Sequence, residues 1–226
     1  MDWQFFIKIL PNLMRGLQVS LQLAAGSLLL GLIIGLPLSL ARTYGRGLLR
    51  AVAVAYIEAV RGTPMTVQLF LIYFGLAEVG LVMGRVPAAI LALGINSSAY
   101  QAEYFRGAIN SIDLGQMLAA EALGMTKMQA IRHIILPQAL RLVIPPWSNE
   151  LIYMVKYTSV AFVIAVPELM AQGNMLVSST FRALEVLFLV GVIYVIVLSI
   201  IAKLVDILEN KYSIPGFQMQ RESFEG

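Results

Sequence analysis

Residues 113–138 read DLGQMLAAEALGMTKMQAIRHIILPQ. Their local grammar is two short helices and a bend. Asp113 with Gln116 three residues on can open a helix, and Thr126 with Gln129 fits the Ser/Thr-x-x-Glu/Gln capping box. Between them, Gly124 stands where a helix ends in the left-handed conformation that glycine adopts cheaply. Pro137 bars the second helix from continuing without a kink. Helical spacing places Leu114, Met117, Leu118 and Ala122 on one stripe. The small Gly115 and Ala119 lie on the other side, where another protein's backbone can come close. Such a segment is either an amphipathic loop lying on a membrane surface or a docking element.

The rest of the chain is strongly apolar. Of its 226 residues, 59% are hydrophobic and 13% charged, with a mean hydropathy of +0.80. Average soluble domains carry about 25% charged residues, so this is a membrane protein. It has no cysteine, which excludes disulfides and thiolate chemistry. The net charge of +3 is small, and nothing resembles a nucleic-acid face. The N-terminal apolar run is too long for a cleavable signal and is expected to stay as a span.

A span needs about 20 apolar residues, and five fit in one all-α domain covering 1–226. Residues 1–12, closed by Pro11, suit a short interfacial helix with Trp3 at headgroup level. Spans are expected at 16–41, 51–76, 86–109, 142–166 and 185–208. The second is interrupted by Arg61, Gly62, Thr63 and Pro64, and the fourth by Pro145 and Pro146. Residues 167–183 read as a polar connection. With the N-terminus outside, the inner side holds Arg42, Arg46, Arg50, Arg106, Lys127, Arg132, Arg141, Lys203, Lys211 and Arg221. The outer side holds only Lys8, Arg15, Arg85 and Arg182. The positive-inside rule therefore places the C-terminus and residues 113–138 in the cytoplasm.

Polar groups at membrane depth need partners or water, since one central charge costs ~2.5–3.5 kcal/mol on insertion scales. Glu58 and Arg61 are three apart and can pair, and Glu103 with Arg106 repeats the spacing. Neutral pairs that merely hold the bundle would explain them equally well. Pro64 frees a carbonyl four residues back, and such breaks are tolerated only beside protein or a water-filled cavity. Asn96, Tyr100 and Glu103 form one polar stripe on the third span. Asn149, Glu150, Lys156, Thr158 and Ser159 follow in the fourth. Polar residues can simply bond across helices for roughly 0.6 kcal/mol each. Three spans with mid-depth breaks instead suggest a path for a polar solute.

No phosphate-cradling G-x-x-x-x-G-K-[ST] loop occurs, so no nucleotide hydrolysis is expected of this chain. Its single histidine, His133, offers neither a metal cluster nor a hydrolase base. A self-sufficient ion-coupled carrier is the rival of another class, with the carboxylates as cation sites.

Ala119-Ala120, three residues, Gly124, nine residues, Ile134, one residue and Leu136-Pro137 resembles the coupling loop of membrane permeases of ABC importers. Arg61-Gly62-Thr63-Pro64 with Gln68-Leu69-Phe70, Ala99-Tyr100 with Glu103 and Arg106, and Lys156 with Thr158-Ser159 resemble the polar amino acid branch of that family. The resemblance covers nearly the whole chain. It implies a type I importer permease in a bacterial inner membrane, working by alternating access. Its implied partners are a second permease (the same or a related chain), two ATPase subunits and an extracytoplasmic solute-binding protein. ATP and Mg would sit on the ATPase, with no cofactor or metal on this chain. Residues matching the coupling element are Gly115, Leu118, Ala119, Ala120, Glu121, Gly124, Leu136 and Pro137. Leu118 stands where the family usually has Glu, with Glu121 the nearest acid. Tyr157 stands where Asp is common, which leaves Glu150 as a partner for Lys156. The substrate set is Glu58, Arg61, Thr63, Asn96, Tyr100, Glu103, Asn149, Glu150, Lys156 and Ser159. Arg61, or helix N-termini near Pro64 and Pro146, would take a carboxylate. Asn96, Glu103, Asn149 or Glu150 would take an ammonium, and an unpaired Glu150 would favour a basic amino acid over glutamine or cystine.

Overall fold

A computed structural model describes residues 3–212. Arg221 and the tail around it, expected inside, lie outside the described residues, as do the side chains of Trp3 and Lys211. Among the described residues every regular element is helical. In chain order they are α1 (Trp3–Tyr44), α2 (Gly47–Gly62), α3 (Met65–Glu78), α4 (Arg85–Asn110), α5 (Leu114–Ala122), α6 (127–142), α7 (Ile144–Ile164), α8 (Leu169–Thr180) and α9 (Ala183–Tyr212).

The expected break between an interfacial helix and the first span is absent. Helix α1 runs through both Pro11 and Pro37. Pro11 forfeits one hydrogen bond, but the residues around it are pinned. Ile9 and Leu13 are buried in one cluster with Leu169, Val186, Val190 and Ile193 from α8 and α9. Tertiary packing outweighs the lost bond. At 1.5 Å per residue α1 is about 63 Å long, so it projects beyond a ~30 Å hydrocarbon core.

Among the described residues, only α1 and α9 are long and apolar enough to cross a membrane as single helices. The other expected spans are helical but broken or polar. The second is α2 and α3, separated at Thr63 and Pro64, where the chain turns extended. The third is the unbroken α4, which carries a buried polar seam. The fourth departs from expectation in two ways. Pro145 and Pro146 occupy the first turn of α7 and start it rather than break it. The chain then bends by 49° between α7 and α8, and residues 169–180 of the expected polar connection are helix. Ala165 takes left-handed φ 56 at that bend.

Helices α1 and α4 pack face to face through small residues. Gly31 and Gly35 of α1 abut Ser97, Ser98 and Gln101, and Gly94 of α4 receives Leu30. A Cβ on Gly35 would stand 2.7 Å from the Ser98 carbonyl oxygen. Without water to drive association in lipid, such close backbone approach is what holds helices together. Five buried clusters spread along the helices take the place of one central core.

Candidate functional site

Three groups of polar side chains lie along α4. The first is the break of the second span. Pro64 lacks the N–H that would cap the Val60 carbonyl, and Val67 N–H bonds the Pro64 carbonyl instead of that of Thr63. Buried Gln68 repairs both losses: its Nε2 donates to Val60 O at 2.7 Å and Thr63 O at 2.9 Å. Its Oε1 accepts from Asn96 Nδ2 at 3.2 Å, tying the break to α4. Thr63 Oγ1 donates to Ala59 O at 2.7 Å, so it serves the helix end. Gln68 was quoted above only within a longer match. An amide four residues past a proline break was the available signal.

The second group surrounds Glu103, whose side chain is 14% exposed. Arg106 grips it through Nε and Nη2 at 2.8–3.1 Å, as its spacing predicts. Arg42 Nη1 reaches Glu103 at 3.2 Å and Glu58 at 3.0 Å. Arg61 lies 3.9 Å from Glu103 and 5.4 Å over the Tyr100 ring. The expected Glu58–Arg61 pair is thus replaced: Glu58 meets Arg42 and Arg61 meets Glu103. The third span supplies a better-buried carboxylate than Glu58. Three guanidiniums against two carboxylates leave one positive charge in excess. The desolvation cost of partly buried ion pairs offsets much of their attraction, so stability alone is a weak reason for the cluster. Arg42, from the end of α1, was missed because nothing in sequence brings it to α4.

The third group is buried between α4 and α7. Glu150, 6% exposed, accepts from Ser97 Oγ at 2.6 Å and Tyr104 OH at 3.2 Å. Gln101 bonds Ser97 Oγ and the Leu28 carbonyl, both at 3.0 Å, and accepts from Trp147 Nε1 at 2.9 Å. The Glu150–Lys156 pair considered above does not form. Lys156 instead sits 5.2 Å over the Tyr153 ring. Nor is a helix N-terminus freed at Pro146, because the chain enters α7 directly from α6 and Trp147 N–H bonds Val143 O. Asn149 is exposed. Ser159 Oγ donates to Lys156 O at 2.7 Å. Ser159 also lines, with Thr66 and Tyr194, an apolar groove of about 560 Å³ between α3, α7, α8 and α9.

One buried carboxylate went unread. Glu168 is fully enclosed where α7 bends into α8, and accepts from Ala171 N, Met170 N, Ser20 Oγ and Tyr194 OH at 2.7–3.4 Å. It caps α8 and joins it to α1 and α9. Glutamate is outside the usual N-cap set of Ser, Thr, Asp and Asn, which hid it.

The stretch 113–138 folds largely as its grammar dictates. Asp113 Oδ1 accepts from Gly115 N at 2.6 Å, both halves of the Thr126–Gln129 box are made, and Gly124 has φ +83. A Cβ on Gly115 would stand 2.7 Å from that Asp113 oxygen, so a larger residue there would make the cap side chain shift. Pro137 does not end the second helix. A π turn at Ile131–Ile135 absorbs it and α6 continues to Leu142. The stripe is also rotated from expectation. Ala120 is buried and Met117 half-buried, whereas Leu114 is 81%, Leu118 65% and Leu123 84% exposed. Ala119, Glu121 and Pro137 are exposed and Leu136 half-buried.

Residues 27–213 match the model of the family described as binding-protein-dependent transport system inner membrane component. The chain belongs to that family. The permease is 40% identical over 217 residues to a probable amino-acid permease protein, YxeN, of Bacillus subtilis, spanning 95% of this chain and 97% of that one. It is 40% identical over 215 residues to the glutamine transport system permease protein GlnP of Escherichia coli, spanning 94% and 98%. Its fold superposes on a crystal structure of an amino acid ABC transporter with histidines at TM-score 0.87 and 36% identity, covering 93% and 99% of the two chains. The resemblance read from the coupling loop and the polar motifs is thereby borne out: this is an all-helical inner-membrane permease of the ABC importer type.

Proposed function

We propose that the permease forms, with a second permease subunit, the path by which a polar amino acid crosses the inner membrane. Separate ATPase subunits hydrolyse ATP with Mg, and an extracytoplasmic binding protein delivers the substrate. The carrying observation is the excess guanidinium of the Glu103 cluster, placed beside the break at Thr63 and Pro64. Arg61, over a third exposed and held loosely at 3.9 Å, is free to turn to a substrate carboxylate. Asn96 and Tyr100 continue the same face of α4. Glu150 is engaged by two hydroxyls, which removes the ground for preferring a basic substrate. Lys156, Ser159 and Asn149 make their contacts outside the Glu103 cluster and do not belong to the same binding centre.

Helix α5 is the coupling element, on the cytoplasmic side with the C-terminus, while the N-terminus is outside. Its exposed Leu114 and Leu118, one turn apart, offer an apolar face to a groove on the ATPase, with exposed Leu123 just past the helix end. Leu118 in place of the usual acid makes that contact apolar, with Glu121, one turn on, the nearest acid. ATP-driven closure of the ATPases moves α5, and the spans rock to open the path to one side at a time.

Proteoliposome uptake of labelled L-glutamine and L-arginine tests this. Uptake should require ATP, the ATPase and the binding protein together. Uptake by the permease alone, driven by an ion gradient, would overturn the proposal in favour of a carrier.

A further inference from the structure

We propose that Gln68 is a positioning residue that fixes the polarity of Asn96, so that an acceptor oxygen is turned toward the substrate. This rests on the reading of the α4 face as part of the amino acid path.

A primary amide has one accepting and one donating side, and packing alone does not choose between them. Here the backbone chooses. The groups opposite Gln68 are two carbonyl oxygens, Val60 O at 2.7 Å and Thr63 O at 2.9 Å, which can only accept. The Val60 carbonyl has otherwise only a 3.4 Å bond from Thr63 N. Both are left over by the break at Pro64. Gln68 must therefore present its NH₂ to them, and both its hydrogens are used.

Its Oε1 then faces Asn96 and needs a donor, so Asn96 presents Nδ2, at 3.2 Å. A reversed Asn96 would set two acceptor oxygens against each other. A reversed Gln68 would set its oxygen against two carbonyls. The orientation is relayed from the broken backbone through two amides.

What remains of Asn96 is its Oδ1. Among the described residues no group donates to it, and it is not sealed from solvent. Asn96 is half-buried on the face that carries Tyr100 one turn on and Glu103 two turns on. A fixed, uncharged acceptor there suits the α-ammonium common to amino acids. It leaves Arg61 for the carboxylate and does not bias the site toward a positive side chain.

The test exploits the difference between an amide and a carboxylate. Gln68→Met keeps the length but releases Asn96 to turn, whereas aspartate at position 96 accepts on both oxygens and needs no orienting. Initial uptake of L-glutamine and L-arginine is measured in proteoliposomes of the whole importer, alongside basal ATP hydrolysis and recovery of assembled complex. Gln68→Met should lower uptake of the transported amino acid about tenfold or more, the loss expected for one hydrogen bond to a charged group. Adding Asn96→Asp should recover most of it, to within about threefold of the original chain. A double variant no better than Gln68→Met overturns the proposal, because a residue that only clamps the break cannot be rescued from position 96. If Gln68→Met does not assemble, a single variant decides: Asn96→Leu, which removes the acceptor, should lower uptake by assembled importer about tenfold, and unchanged uptake overturns the proposal. An original chain that takes up neither amino acid, with ATP hydrolysis stimulated by its binding protein, defeats the amino acid reading instead, and this inference with it.

Discussion

Glu150 and Glu168 are both buried carboxylates, yet they do different work. Glu168 accepts from two backbone N–H groups and two hydroxyls belonging to three helices. Glu168→Ala removes an N-cap, worth ~1–2 kcal/mol, and takes from the Ser20 and Tyr194 hydroxyls the carboxylate to which they donate. The expected outcome is a fall in the thermal midpoint of the detergent-solubilised permease, with Glu168→Gln milder because one acceptor oxygen survives. Glu150 is bound by Ser97 and Tyr104 from α4. Glu150→Gln should therefore lower uptake of arginine and glutamine by the same factor. A selective loss of arginine uptake would place its carboxylate in the path after all. Glu150 and Glu103 were visible as polar residues at membrane depth, because a charge there is costly and needs a reason. Apart from Arg106, their partners were not, because Ser97, Tyr104 and Arg42 reach them from other turns and other helices.

At the scale of helices, glycine separates packing from propensity. Gly35 faces the Ser98 carbonyl at a distance that admits no Cβ, whereas nothing lies within 4 Å of one built on Gly191. Gly35→Ala should cost stability and yield of folded permease, as overpacking does by ~1–3 kcal/mol. Gly191→Ala should be neutral or stabilising by up to ~1 kcal/mol, both read from thermal unfolding in detergent. Elements with strong local signals emerged where expected: the break at Thr63 and Pro64, the capping box at Thr126 and the left-handed Gly124. Elements read from proline alone did not. Pro11, Pro137, Pro145 and Pro146 all sit within or at the start of helices, because a π turn, a helix start or buried neighbours absorb the missing bond.

For the whole importer, α5 is the proposed joint between the membrane and the motor. Leu118→Asp places a charge on the most exposed apolar face of that joint while touching no buried residue. The variant should keep the thermal midpoint of the permease, lose co-purification with the ATPase, and lose uptake in proportion. Retained co-purification would move the contact elsewhere on α5 and α6. Glu121→Ala should change it little, since it removes a charge from that apolar side rather than adding one.

The amino-acid sequence alone determined the membrane class, the helical periodicity, the broken second span and the capped turn of residues 113–138. These follow from composition, caps and proline or glycine within a few residues, so the physics is local. Tertiary structure decided which face of α5 is exposed, which arginine answers which glutamate, and that Gln68 spans the break to reach Asn96. Those outcomes depend on the crossing of α1, α2, α3 and α4 and on the packing of α5 against α6, where residues apart in the chain compete for the same few partners.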